Sequence, residues 1–201
     1  MIVIIDYGMG NLHSVYKAFK RLNANVVASS FPDDIEKADR LVLPGVGHFK
    51  KGMKTLNKLG LIETLNKAVL KKKIPLLGIC LGMELLTEFS EEGNSKGLAW
   101  IDAKTLKFDM KNGFKIPHMG WNSVKVSKKN PIFSGINPEE QFYFAHSYYV
   151  STKDKSIISS TTKYGVEFVS SINKDNIYGT QFHPEKSHAN GLMLLKNFVN
   201  L

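Results

Sequence analysis

The chain carries a single cysteine, Cys80, within Gly78-Ile79-Cys80-Leu81-Gly82. This is the thiol counterpart of the G-x-S-x-G elbow, in which a strand ends, the chain turns sharply onto a helix, and the nucleophile stands at the turn. Strained backbone there leaves no room for side chains two residues to either side, hence glycine at both. A helix N-terminus beneath Cys80 favours the thiolate, the reactive form. The N–H of Leu81 points where an oxyanion would form. Most lone cysteines are small buried hydrophobes, but the flanking glycines and the preceding Ile74-Pro75-Leu76-Leu77 favour a nucleophile.

A thiol nucleophile needs a base, and the chain offers His13, His48, His118, His146, His183 and His188. His183 stands out because Gln181-Phe182-His183-Pro184-Glu185 follows a predicted strand. Pro184 keeps His183 extended, and in an extended chain residues two apart project to the same side. Glu185 can therefore reach the His183 ring and fix its tautomer, leaving the other nitrogen for the thiol. Nucleophile, base and orienter then run in the chain order Cys, His, Glu. A metal reading of His183 and Glu185 is poorer, because no third ligand stands at a characteristic spacing. Pro44-Gly45-Val46-Gly47 closes another predicted strand at the same sheet edge as Cys80. Ligands of open α/β sheets bind outside the carboxyl ends of the strands, and glycines let backbone N–H groups approach them closely. The same string also suits a plain strand-to-helix turn.

The elements that must position these residues alternate in the first half. Ile2–Asp6 is a short apolar run, and Gly8-Met9-Gly10-Asn11 is a turn with Asn11 as N-cap. Leu12, Val15, Tyr16, Phe19 and Leu22 recur at helical spacing. Strands are predicted at Asn25–Ala28, Leu41–Leu43 and Pro75–Ile79, with Pro44 stopping the second of these. Helices are predicted at Pro32–Ala38, at Met53–Leu70 with an interruption near Gly60, and at Gly82–Phe89. This alternation argues for an α/β fold: an open, mostly parallel, twisted sheet with helices on both faces. The second half is β-rich and reads as an antiparallel extension. Its strands are predicted at Thr105–Phe108, Ser123–Val126, Gln141–Ala145, Ile157–Thr162, Phe168–Ile172 and Ile177–Gln181, before a last helix at Gly191–Leu201. No repeat, low-complexity tract or linker divides residues 1–201, so one domain is expected.

Composition limits the function classes. A chain of 201 residues with 43% hydrophobic and 22% charged residues is ordinary globular material. One cysteine excludes an internal disulfide or a four-cysteine zinc site and fits a reducing compartment. No membrane span or secretory signal is apparent, and a cytoplasmic location is expected. The net charge of +9 comes from dispersed lysines. The Lys71-Lys72-Lys73 run reads as a solvated helix C-terminus, with an acidic docking partner as the other reading. Nucleic-acid binding has only net charge behind it. Gly8-x-Gly10 lacks the third glycine of a dinucleotide fingerprint, position 13 being His13, and no cofactor or metal is expected.

Taken together, these motifs resemble the class I, triad-type glutamine amidotransferases over essentially the whole chain. The resemblance rests on Asp6-Tyr7-Gly8-Met9-Gly10-Asn11-Leu12, Leu43-Pro44-Gly45-Val46-Gly47-His48-Phe49, Gly78-Ile79-Cys80-Leu81-Gly82-Met83, Pro117-His118-Met119-Gly120-Trp121-Asn122, His146-Ser147-Tyr148 and Gln181-Phe182-His183-Pro184-Glu185-Lys186-Ser187. It implies a flavodoxin-like fold and glutamine as substrate, with Cys80, His183 and Glu185 as the triad. It implies an oxyanion hole from the Leu81 N–H and a backbone N–H of Gly45 or Val46, in a loop that must reorient. Gly47, Glu84 and the His146-Ser147-Tyr148 backbone would bind glutamine. The P-G-V-G and P-H-M-G-W-N strings narrow the resemblance to subunits that pass ammonia to a (β/α)8-barrel partner, the cyclase subunit of imidazole glycerol phosphate synthase, in a heterodimer. Asn11, Trp121, Asn122 and Lys186 would face that partner, Lys186 by pairing with an acidic barrel residue; on burial statistics alone Trp121 would be core. Glu84 departs from the family's usual G-M-Q. A carboxylate cannot donate to the substrate carboxylate, although it can pair with the α-ammonium. That departure raises a second partner, a sugar-modifying synthase for surface polysaccharide. A thiol hydrolase acting on peptides or carbonyl adducts, and a docking subunit without catalysis, are the remaining alternatives.

Overall fold

The structure, a computed structural model, describes residues 1–109, 114–127 and 130–201. The first half runs β1 (Ile2–Ile5), α1 (Leu12–Arg21), β2 (Val26–Ser29), α2 (Pro32–Glu36), β3 (Arg40–Gly45), α3 (Phe49–Lys58) and α4 (Leu61–Leu65). A π-helical stretch, Asn66–Lys71, follows, then β4 (Leu76–Cys80) and α5 (Leu81–Glu84). The second half runs β5 (Phe89–Ser90), β6 (Ser95–Lys96), β7 (Lys104–Lys107), β8 (His118–Ser123), β9 (Lys125–Val126), β10 (Gln141–His146), β11 (Tyr148–Ser151), β12 (Ile158–Tyr164), β13 (Val166–Lys174), β14 (Ile177–Thr180) and α6 (His188–Val199).

The sheet order begins β2-β1-β3-β4-β14, and these strands are parallel neighbours throughout. A parallel sheet must be covered on both faces, and β1 shows how. Val3 and Ile5 pack with Leu41, Leu43, Leu56 and Leu65 on one side. Ile2 and Ile4 pack with Val15, Phe19, Leu195 and Phe198 on the other, following the two-residue period of a strand. From β14 the sheet continues through β13, β11 and β7, with antiparallel pairing at β14–β13, β13–β11 and β11–β7. A separate antiparallel ribbon pairs β8 with β10. The expected α/β class, mostly parallel sheet and antiparallel extension are therefore present.

Several boundaries differ from the sequence expectation. Pro44 does not stop β3: Pro44 pairs with Ile79 and Gly45 with Cys80. The helix expected over Gly82–Phe89 is a single turn. The carbonyls of Leu85, Leu86, Thr87 and Glu88 accept instead from Leu98, Trp100, Ala99 and Gly97, so a returning segment takes the acceptors that a longer helix would use. The helix expected from Met53 starts at Phe49, whose N–H donates to the Glu92 carboxylate at 2.6 Å. Strands β5, β6, β8 and β11 are additions, and α6 begins three residues earlier than expected. In the lysine run, Lys72 is tied to Glu36 at 3.0 Å.

Asn176 sets the register that matters most. Its backbone carbonyl accepts from Leu76 N at 2.9 Å. Its side-chain amide donates to the Val69 and Ile74 carbonyls, both at 2.9 Å. It thereby locks the start of β14 beside the start of β4. Asn176→Ala strands two partly buried carbonyls, and we expect a loss of about 1–3 kcal/mol, read as a lowered urea midpoint. An unchanged midpoint would mean that other donors satisfy those carbonyls.

Candidate active site

The elbow is built by steric demand. Cys80 has φ 53° and ψ −112°, a left-handed conformation that a non-glycine residue holds only under constraint from its surroundings. A Cβ on Gly78 would lie 2.9 Å from Gly82 and Met83 backbone. A Cβ on Gly82 would lie 1.7 Å from the Leu43 carbonyl oxygen. Both glycines are therefore required by the close passage of the elbow against itself and against β3. Gly45, paired with Cys80, is equally crowded: its Cβ would stand 2.6 Å from the Tyr7 hydroxyl.

The β4–β14 register pairs Thr180 with Ile79, so Gln181 comes level with Cys80 and His183 lies just beyond. The Cys80 sulfur is 3.9 Å from the Ala145 carbonyl oxygen and 4.0 Å from Gln181 Nε2. His183 Nδ1 lies 2.8 Å from Glu185 Oε1. A carboxylate accepts, so Nδ1 carries the proton. Nε2 is buried and makes no hydrogen bond. Burial alone pulls the His183 pKa down, but the Cys80 sulfur and the Glu185 carboxylate outweigh it and hold the ring up at about 10. His183 N also donates to the Tyr143 carbonyl at 2.8 Å, and the Ser187 hydroxyl donates to the His183 carbonyl at 2.6 Å.

Above Cys80 lies a cleft whose wall includes Val46, Gly47, Leu81, Glu84, His146, Ser147 and Tyr148. The structure thus brings Cys80 together with the residues expected to form an oxyanion hole and to bind substrate. One residue of this region, Glu92, escaped the sequence reading, and Gln181 entered it only as part of the Gln181-Phe182-His183-Pro184-Glu185 string, without a role of its own. Glu92 lines the cleft while capping α3. Gln181 donates to Glu84 Oε1 at 2.8 Å and reaches the Cys80 sulfur with the same nitrogen. The alternation that put Gln181 in a strand carried a signal for its position but none for its contacts. Nothing local marks Glu92.

Of the residues expected to face a partner, Trp121 is 44% exposed, stacks on His188 at 5.0 Å and meets Tyr143 edge-on. Lys186 sits over the Tyr143 ring at 5.7 Å. Met119, 63% exposed, joins this face to the cleft. Asn11 caps α1, its Oδ1 accepting from Ser14 N at 3.1 Å. The Asn122 amide is engaged within the chain, with His118, Lys163 and Ser123. Among the described residues no group of three or more His, Cys, Asp or Glu is placed to hold a metal ion. No described helix is long and apolar enough to cross a membrane.

Residues 3–201 match the family described as glutamine amidotransferase class-I. A curated relative from Methanococcus maripaludis, named imidazole glycerol phosphate synthase subunit HisH 2, is 55% identical over 99% of this chain and 98% of its own. One from Pseudomonas aeruginosa with the same name is 49% identical over the full length of both chains. Among solved structures, one titled glutamine amidotransferase superposes with a TM-score of 0.78 at 16% identity, covering 100% of this chain and 98% of that one. The glutaminase domain of Trypanosoma brucei CTPS gives 0.69 at 17% identity, covering 99% and 93%. At such identities these two structures speak for the fold alone.

Glu84 gives this site a pH signature. Burial raises its pKa from 4.5 to about 8, against the Gln181 hydrogen bond, which lowers it. Between those values the folded chain keeps a proton that the unfolded chain has released, so stability falls as pH rises through the window. Glu84→Gln removes that proton and keeps an acceptor for Gln181. We expect urea unfolding to show the wild type losing stability relative to Glu84→Gln from pH 4.5 to 8; parallel profiles would show that Glu84 is ionised in the fold.

Proposed function

The chain belongs to the class-I glutamine amidotransferase family, and from that footing we propose that it is the glutaminase subunit of imidazole glycerol phosphate synthase, a single amidotransferase domain working in the cytoplasm. The observation that carries this reading is the His183–Glu185 pair beside Cys80 at one end of a cleft, in a chain about half identical, end to end, to curated subunits of that synthase.

The chemistry follows from the geometry. The side-chain amide of glutamine enters past Gly47 and Tyr148. Cys80 Sγ attacks the amide carbon, and Leu81 N–H with a Gly45 or Val46 N–H receives the oxyanion. His183, held towards its charged form, carries on Nε2 the proton given up by the thiol and delivers it to the amide nitrogen, which leaves as ammonia. Water, deprotonated by His183, then cleaves the glutamyl thioester to glutamate and restores the thiol. Glu185 holds Nδ1–H so that Nε2 faces the reaction. Glu92 and Glu84 bring carboxyl groups to the cleft, where the α-ammonium of glutamine needs acceptors. Ammonia in neutral water is mostly protonated and no longer nucleophilic, so it must pass directly to a seated partner. Met119, Trp121 and Lys186 offer that partner, the (β/α)8-barrel cyclase, an aromatic and cationic face beside the cleft.

A second acceptor is favoured by one observation: relatives from the single organism Methanococcus maripaludis are numbered HisH 2 and HisH 1, at 55% and 50% identity. One of two such subunits can serve another synthase, such as a sugar-modifying one. Glutamate release tests both readings. We expect little activity alone, a large rise with the cyclase barrel and its nucleotide substrate, and a loss of about 10⁴-fold in Cys80→Ala and in Glu185→Gln. No rise with the cyclase but a rise with a sugar-modifying synthase would replace the first partner with the second; activity surviving in Cys80→Ala would overturn the triad.

A further inference from the structure

Two buried histidines outside the triad form a directed chain of hydrogen bonds. His146 Nδ1 lies 2.7 Å from the Tyr148 carbonyl oxygen. A carbonyl only accepts, so Nδ1 carries the proton, and in the neutral ring Nε2 must then accept. His118 Nδ1 lies 2.8 Å from that Nε2 and is therefore the donor. This leaves His118 Nε2 as an acceptor, 3.2 Å from Asn122 Nδ2.

The far end fixes the same direction independently. Asn122 Oδ1 accepts from Ser123 N at 2.8 Å, and Asn122 Nδ2 donates to the Lys163 carbonyl at 3.1 Å. That orientation turns the amide N–H towards His118. Two backbone anchors thus agree on every proton between them. Burial keeps both rings neutral, pulling His146 down to about 3 and His118 to about 4. The His118 ring is held by stacking against Tyr164 at 4.0 Å and Phe144 at 4.8 Å.

The chain of bonds ends at the wall of the cleft. β10 finishes at His146 and β11 begins at Tyr148, so His146-Ser147-Tyr148 is where the backbone crosses from the ribbon to the main sheet. All three residues line the cleft above Cys80. The His146 ring folds over the crossing and pins its exit carbonyl; His118, on the neighbouring strand, pins the ring.

We propose that His118 is a positioning residue for glutamine binding: through its Nδ1–H it fixes the His146 ring, and so the direction of the backbone polar groups of residues 146–148 that meet the substrate. The proposal rests on the glutaminase reading. His118 touches neither substrate nor nucleophile, so its effect falls on binding and leaves the chemical step alone.

Glutamine binding is measured by calorimetry in a Cys80→Ala background, and kcat and KM in the Cys80 chain with its activating partner. His118→Leu removes the donor while keeping an apolar filler. We expect Kd and KM to rise roughly three- to tenfold, the worth of one neutral hydrogen bond, with kcat within about twofold. His118→Asn, whose amide N–H stands near the place of Nδ1–H, is expected to return both to within about twofold of the parent. Nitrogen-15 spectra of the unmodified chain should show both histidines neutral with the proton on Nδ1, a readout that needs no variant to fold. Unchanged Kd in His118→Leu, no rescue by His118→Asn, or an Nε2–H tautomer at His146 would each overturn the proposal. A parent chain that binds no glutamine and releases no glutamate with any partner would sink the glutaminase reading, and the proposal with it, while the tautomer spectrum would still report on the hydrogen-bond chain.

Discussion

The close passage of the elbow over β3 is the constraint from which the rest of the site follows. The Leu43 carbonyl oxygen occupies the space that a side chain at position 82 would need. Only with glycine there can the chain turn at Cys80 and drop straight onto α5. That contact puts Gly45 level with the nucleophile, so the loop carrying Val46 and Gly47 overhangs the sulfur. It also leaves β4 free on its other edge to pair with β14, which delivers Gln181 and His183 to the same end of the sheet. The site is thus assembled by three adjacent parallel strands whose carboxyl ends share one register, the place where open α/β sheets bind their ligands.

Within this frame the buried titratable groups are pushed in opposite directions. Burial drives Tyr7, Glu84, His118 and His146 towards their neutral forms. His183 alone is pushed towards its charged form, because the Cys80 sulfur and the Glu185 carboxylate flank it. Pairs of groups whose surroundings separate their pKa values mark the acid and base of a site. Here the separation leaves one exchangeable proton on His183, between the Cys80 sulfur and the Glu185 carboxylate, placed where a leaving amide must gain it. Gln181 ties the two halves together, since one nitrogen touches both the neutral Glu84 carboxyl and the sulfur.

The sequence made the triad legible because each member is written into backbone requirements. Gly78 and Gly82 record a steric demand, and Pro184 records an extended histidine. The Gly78 and Pro184 demands act within a few residues, and the elbow fixes the spacing of Gly82 although the atom it meets lies on β3, so single-chain spacing reveals them. The parallel core strands were legible for the same reason: continuous apolar runs bury both faces. What stayed hidden was set by distant partners. The helix after Cys80 is cut short because residues 97–100 take its carbonyls, and α3 starts early because Glu92 caps it. β8 was hidden because its residues alternate between a buried polar chain and an exposed apolar face, which inverts the usual strand pattern.

That inversion explains why a costly arrangement is kept. Burying two imidazoles is unfavourable unless every nitrogen finds a partner, and here all four ring nitrogens do. On β8, His118 and Asn122 face inward while Met119 and Trp121 face out. A single two-stranded ribbon therefore carries the hydrogen bonds that shape the cleft wall on one side and the apolar surface beside the cleft on the other. Hydrogen bonds of fixed direction resist small shifts better than apolar contacts do, and a shift of β8 against β10 strains the His118–His146 bond directly.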